Sequence, residues 1–215
     1  MNTIIFDMDG VLIDSEYTYL ESKTDILNDA GYDVDVSYQY QFMGTTYDYM
    51  WNTMKEELGL PFETSYYIDE MNRRREEMID RDGIKPIKNV IDFVQNLHKS
   101  GFRMAVASSS PKKDIKFAMD SLNLTQYFDF LVSGEEVENS KPAPDVFLLA
   151  ASLLDVAPEK CIAFEDTKNG SKAAKAANMY TIGFENPDYP KQDLTAADKI
   201  ITDFNHVNIE ELKKL

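Results

Sequence analysis

The chain has too little positive charge, too few cysteines and too few long apolar runs for several classes of protein. Lys and Arg number 22 against 38 Asp and Glu, and the formal net charge of −16 repels nucleic acid, whose binding depends on cationic side chains that neutralise phosphates. The single cysteine, Cys161, has no partner in the chain, so no internal disulfide framework forms. Its neighbours Ile162, Ala163 and Phe164 suit a small buried residue instead. The two histidines, His98 and His206, lack metal-ligand spacing. No apolar run reaches the roughly 20 residues that cross a bilayer, and the amino terminus enters a strand-like segment without a basic leader. The expectation is a cytoplasmic protein with neither nucleic acid nor membrane as partner, and a monomer by default.

What is present begins with Ile4-Ile5-Phe6, an apolar run without alternation that reads as a strand buried on both faces. It ends in Asp7-Met8-Asp9-Gly10. Acids at the carboxyl end of a buried strand stand where open α/β sheets bind ligands, and the bend that brings Asp7 and Asp9 to one site needs the freedom of Gly10.

From Ser15 to Gly83 the periodicity is helical. Tyr17, Leu20, Thr24 and Leu27 form one stripe that Gly31 stops; Met50, Met54 and Leu58 form another, begun by a Thr45/Asp48 capping box and ended at Gly59; Ile68, Met71, Arg75 and Met78 form a third. Arg73-Arg74-Arg75 is followed directly by Glu76-Glu77 and reads as a solvated face. From Ile84 onward, strands at 102–107, 130–132, 161–164, 180–183 and 199–202 alternate with helices, the pattern of a parallel sheet covered on both faces. Of the serines before Pro111, Ser110 is expected to cap the following helix. The expected architecture is α/β: a Rossmann-like core formed by residues 1–14 and 84–215, with residues 15–83 inserted as an α-helical cap domain. The chain would cross between them near Ile13 to Ser15 and Asp82 to Lys85.

Three strands end in polar residues: Asp7 with Asp9, Ser108, and Glu165 with Asp166. A parallel sheet places these ends on one edge. Clustered carboxylates repel unless a cation lies among them, and an all-oxygen set favours a hard ion, with Mg²⁺ the best fit beside a phosphate. Lys141 adds a fixed positive charge. Because four acids outweigh one Mg²⁺ and one lysine, an anion would also need main-chain amides such as those of Gly10 and Ser109.

Asp7-Met8-Asp9-Gly10-Val11, Ser108, Lys141-Pro142 and Glu165-Asp166 resemble, in order and spacing, the four motifs of the haloacid dehalogenase-like hydrolases. Asp14-Ser15-Glu16 and Ser140-Lys141-Pro142-Ala143-Pro144-Asp145 resemble the β-phosphoglucomutase and sugar-phosphate phosphatase branch. The resemblance implies that Asp7 takes the phosphoryl group and Asp9 protonates the leaving alcohol and then activates water, while Ser108 and Lys141 hold the transferring oxygens. It implies Mg²⁺ on the Asp7 carboxylate, the Asp9 carbonyl and Asp166, with Glu165 nearby. Tyr19, Thr45, Thr46, Tyr47 and Trp51 are the cap residues expected to contact substrate. Mutases of this branch carry a cap histidine after the first motif and an arginine after the cap glycine; here Tyr19 and Gly44-Thr45 stand in those regions. The expected activity is therefore Mg²⁺-dependent hydrolysis of a small phosphate monoester, a sugar phosphate by preference, through an aspartyl phosphate. A phosphosugar mutase is the alternative, and a phospho-acceptor signalling module is a more distant one.

Overall fold

β1 (Thr3–Phe6) is buried at every position and lies in the middle of a six-stranded sheet of order β3-β2-β1-β4-β5-β6, parallel throughout. The computed structural model describes residues 1–43 and 45–215; Gly44, one of the two positions compared with the mutase pattern, lies outside the described residues. The other strands are β2 (Arg103–Ser108), β3 (Phe130–Ser133), β4 (Cys161–Glu165), β5 (Tyr180–Phe184) and β6 (Lys199–Ile201). Among the described residues the chain divides into two compact units, Met1–Asp14 with Ile84–Leu215, and Ser15–Gly83.

In the first unit the side chains of β1 alternate between two apolar layers, as extended backbone dictates. Ile4 and Phe6 join Val106, Ile162 and Phe164 under α4 (Val90–Lys99) and α5 (Lys112–Ser121). This layer is aromatic, with Phe6 stacked on Phe164 at 5.0 Å between centroids and Phe93 set edge-on to both. Ile5 faces the other way, where Ala105, Ala107 and Ala163 leave room for α6 (Asp145–Leu153) and α7 (Lys168–Ala176) to pack Phe147, Ala150, Ala173 and Ala174 against the sheet. From β1 the sheet grows outward to β3 on one side and, starting with β4, to β6 on the other. The reversal lies between β1 and β4, and at such a switch point the crevice beyond the strand ends opens for ligands.

The second unit is built from α1 (Glu16–Asp29), a 3-10 turn over Val36–Phe42, α2 (Tyr47–Leu58) and α3 (Thr64–Asp82). Ile26, Leu27, Phe42, Met50, Trp51, Met54, Tyr67 and Met71 form its core. The 3-10 turn carries no helical stripe in the sequence. The expected Thr45 capping box is displaced by one residue: Thr46 is the N-cap of α2, its hydroxyl accepting from the Tyr49 amide at 3.3 Å. Gly59 ends α2 in the left-handed conformation (φ 70°), as its place in the sequence predicts.

Candidate active site

The sheet edge at the switch point gathers the predicted acids. The Asp7 amide donates to the Phe164 carbonyl at 2.9 Å, so pairing with β4 continues one residue past β1 and holds the Asp7 backbone rigidly. The chain then turns back on itself: Leu12 and Ile13 donate to the Met8 carbonyl at 2.8 and 3.0 Å, and Gly10 donates to the Ile13 carbonyl at 2.8 Å. Gly10 has φ 77°, and a side chain there would place its Cβ 1.9 Å from Asp166 Oδ2. Its contribution is therefore the missing side chain. The Gly10 amide, expected to receive a phosphate oxygen, is already engaged within the turn.

Lys141 reaches in from the segment after β3, and its ammonium donates to Asp7 Oδ1 at 2.6 Å, Glu165 Oε1 at 2.8 Å and the Ala107 carbonyl at 3.0 Å. This lysine is almost wholly removed from water, its side chain 7% exposed. Glu165 Oε2 in turn accepts from the Thr167 amide and hydroxyl, both at 2.9 Å, and Thr167 caps α7 through the Gly170 amide. A Cβ at position 170 would lie 1.6 Å from Glu165 Oε1, so that glycine makes the space the carboxylate occupies. With both oxygens held by the protein, Glu165 anchors Lys141. Asp166 differs: its Oδ1 is buried and makes no hydrogen bond.

The serine segment also departs from expectation. Ser108 is fully buried at the end of β2, and its hydroxyl accepts from the Ser110 amide at 3.0 Å. Ser110 does not cap α5; its hydroxyl donates to Asp9 Oδ2 at 2.6 Å, orienting that carboxylate, and Pro111 takes the N-cap position. Three adjacent serines hid this role, since a serine before proline fits a cap equally well. Ser109 is exposed directly after β2.

Burial is the largest influence on Asp7 and lifts its carboxyl to about 8 despite the adjacent Lys141 ammonium, with Glu165 and Asp9 pushing the same way. Asp166 is raised well above the carboxylate range, first by burial and then by Glu165 and Asp7. Burial works against the Lys141 charge too, but Asp7 and Glu165 together overrule it and hold its pKa above the ordinary lysine value. The cluster is thus short of positive charge. Carboxylate oxygens of Asp7, Glu165 and Asp166 lie within 4.8 Å of one another, a spacing that could hold a metal ion. The unpartnered Asp166 oxygen marks the open donor, and an all-oxygen set suits a hard divalent ion.

In the helical unit the five predicted contact residues do not behave alike. Trp51 is fully buried and stacks on Tyr67 at 5.1 Å between centroids, which makes it a core residue and removes it from the substrate-facing set. Thr45 donates to the Phe42 carbonyl at 2.7 Å and Thr46 caps α2, so both hydroxyls have structural duties. Tyr19 and Tyr47 are brought together, the Tyr47 hydroxyl donating to that of Tyr19 at 2.8 Å.

Comparison with known proteins agrees with this arrangement. The family model described as haloacid dehalogenase-like hydrolase matches residues 4–184. A phosphorylated carbohydrates phosphatase of Thermotoga maritima is 31% identical over 190 residues, covering 85% of this chain and 84% of that protein. A fructose-1-phosphate phosphatase of Escherichia coli is 31% identical over 180 residues, covering 82% and 92%. A Thermotoga maritima crystal structure, provisionally that of a β-phosphoglucomutase, superposes with a TM-score of 0.82 at 26% identity over the whole of both chains.

Proposed function

Because the chain belongs to the haloacid dehalogenase-like hydrolases and is a phosphohydrolase, we propose that it hydrolyses a phosphorylated sugar by transferring the phosphoryl group to Asp7. The observation that carries this reading is the buried Asp7 carboxylate, held at 2.6 Å by Lys141 beside the unpartnered oxygen of Asp166. A free Asp7 oxygen attacks phosphorus as the ester oxygen leaves, and Asp9 delivers a proton to that oxygen. Asp9 then removes a proton from the water that splits the aspartyl phosphate. Ser110 keeps the Asp9 carboxylate in one place through both steps, while Ser108 offers its hydroxyl proton to a non-bridging oxygen and Lys141, whose three N–H groups are engaged by Asp7, Glu165 and the Ala107 carbonyl, exchanges one of them for another such oxygen. Asp7 and Asp166 would hold Mg²⁺, together with the Asp9 carbonyl. When bound, the ion would supply the positive charge that keeps Asp7 ionised and neutralises the phosphoryl oxygens.

Mutase chemistry is the second reading, favoured by the structural neighbour of that name. Against it, position 19 carries a phenol bonded to Tyr47 where those enzymes are expected to have an imidazole. The test is a panel of hexose, pentose and hexitol phosphates scored for free phosphate and for isomerised product. Free phosphate, lost with EDTA and restored by Mg²⁺, is expected from the native chain and not from the D7N variant. Isomerised product in excess of phosphate, or turnover by D7N, would overturn the proposal.

A further inference from the structure

Ser110, which orients Asp9, is itself held at both ends of its own backbone. Its amide donates to Ser108 Oγ at 3.0 Å, and its carbonyl accepts from Ser133 Oγ at 2.7 Å. Ser108 and Ser133 are register partners at the ends of the parallel strands β2 and β3, and both are fully buried. Ser110 lies two residues past the end of β2 and is half-buried. No strand pairing reaches it, so the two hydroxyls supply the fixation that a ladder would give.

Ser133 makes a second bond that offers a plainer account of it. It caps the 3-10 turn Gly134–Glu136, its oxygen accepting from the Glu135 amide at 3.1 Å. Capping uses the oxygen alone, and an aspartate would serve as well. The proton is what capping leaves over, and it goes to the Ser110 carbonyl. A hydroxyl can accept and donate from one atom, and a carboxylate cannot. Two further features tie the same turn to the serine segment. A Cβ at Gly134 would lie 3.2 Å from the Ser109 carbonyl oxygen and 3.3 Å from its Cα, so the turn packs directly on that backbone. Glu135 Oε2 accepts from the Lys112 amide at 2.9 Å, which fixes the first turn of α5 just beyond Pro111.

Asp9 takes its direction from this arrangement. Among the described residues the Ser110 hydroxyl, at 2.6 Å, is the one hydrogen-bond donor to its side chain. Ser108 and Ser133 hold Ser110, and Ser110 alone holds Asp9. We infer that Ser133 is a positioning residue for the acid-base carboxylate: acting through Ser110, it fixes Asp9 where the leaving oxygen, and later the water, must meet it. Its own proton is engaged within the protein, so it is not a phosphate ligand as Ser108 is. The inference rests on the phosphatase reading above. A reacting group misplaced by about 1 Å can lose about 10²-fold in rate, which gives a remote hydroxyl a measurable effect.

The experiment uses the full chain and three variants. S133A removes the hydroxyl, S133C keeps its shape with a weak donor, and S133T keeps the hydroxyl itself. Phosphate release gives kcat/KM for p-nitrophenyl phosphate, whose leaving group departs as a stable anion, and for phenyl phosphate and fructose 1-phosphate, whose leaving oxygens need a proton. In S133A and S133C, kcat/KM should fall about tenfold or more for fructose 1-phosphate and less than about threefold for p-nitrophenyl phosphate, with phenyl phosphate between them. S133T should restore all three. A scaffold merely loosened would slow the three esters alike. In an S110A background S133A should add no further discrimination, because the path to Asp9 is already cut. No loss, an equal loss for every ester, or a full additional effect in S110A would overturn the proposal. Crystal structures of the native, S133T and S133C proteins test the same point without turnover. The contact between Ser110 Oγ and Asp9 Oδ2 should persist in the first two and be broken in S133C; a contact intact in S133C would overturn the proposal. A native chain that releases phosphate from none of these esters would remove the phosphatase reading, and the crystallographic comparison would still decide whether Ser133 positions Asp9.

Discussion

Replacing Lys141 with methionine isolates the central electrostatic claim. The substitution keeps the length of the side chain and removes an ammonium that donates to Asp7, Glu165 and the Ala107 carbonyl at 2.6, 2.8 and 3.0 Å. Breaking a buried pair by deleting one partner costs about 3–5 kcal/mol, because the other charge is left desolvated. Here the remaining acids can take up protons; Asp7, pushed up to about 8 even with the lysine present, carries its proton in both proteins below that pH, so the pH dependence of the difference falls on Glu165, which loses the ammonium bonded to it. The cost at neutral pH should therefore sit near the lower end of that range and depend on pH. A carboxyl whose folded pKa is raised binds its proton more tightly in the folded state than in the unfolded one. Its destabilising effect is absent below the ordinary carboxylate range and grows as pH rises toward the folded pKa, by up to about 1.4 kcal/mol per pH unit for each group. Urea unfolding of native and K141M protein at pH 5 and pH 7.5, in EDTA, measures this directly. The K141M deficit should be small at pH 5 and about 3 kcal/mol or more at pH 7.5. A deficit below about 1 kcal/mol at both pH values would refute the claim that Lys141 compensates buried charge.

Two further substitutions separate chemistry from scaffolding. D9N should lower kcat by the roughly 10²–10⁴-fold typical of general acid-base catalysis, and S110A, which frees the Asp9 carboxylate from its 2.6 Å contact, should lower it less; single-turnover phosphate release checks both, and a wild-type rate in D9N removes Asp9 from the mechanism. G10A must displace Asp166 Oδ2, 1.9 Å from the new Cβ, and places alanine at φ 77°, so Mg²⁺ affinity should fall at least tenfold with a stability loss of about 1–2 kcal/mol; unchanged Mg²⁺ titration would refute the role given to Asp166.

Much of the fold was legible because its signals are local. Strands of consecutive apolar residues, such as Ile4-Ile5-Phe6 and Cys161 to Phe164, could only be buried, and the helices between them carried clear stripes. The acids converge because a parallel topology puts Asp7, Ser108 and Glu165 on one edge, a consequence of strand direction that alternation alone predicts. What stayed hidden depends on where a side chain turns. Ser110 reaches Asp9 across 101 positions of sequence, and no local rule separates that role from capping. Trp51 reads as a binding residue until its stacking on Tyr67 is seen. Arg75 belongs to a run of three arginines followed by two glutamates, and only the packing of α3 on α1 shows that the first two find carboxylates while the third lies on Tyr19.

The net charge of −16 sharpens the question of how such a chain acquires an anion at all. At long range the protein would repel an anionic substrate, so every attractive contribution must be local: Lys141 and Ser108 at the sheet edge and the divalent cation proposed for Asp7 and Asp166. Salt distinguishes this arrangement from a basic funnel. Raising ionic strength from about 10 mM to 150 mM shortens the screening length from about 30 Å to about 8 Å, which suppresses the long-range repulsion and leaves contacts at 3 Å largely intact. At fixed Mg²⁺, added KCl should therefore hold or raise kcat/KM across that interval. A steep fall, of the kind produced where positive potential steers an anion inward, would mean that the recognition is not confined to these few buried groups.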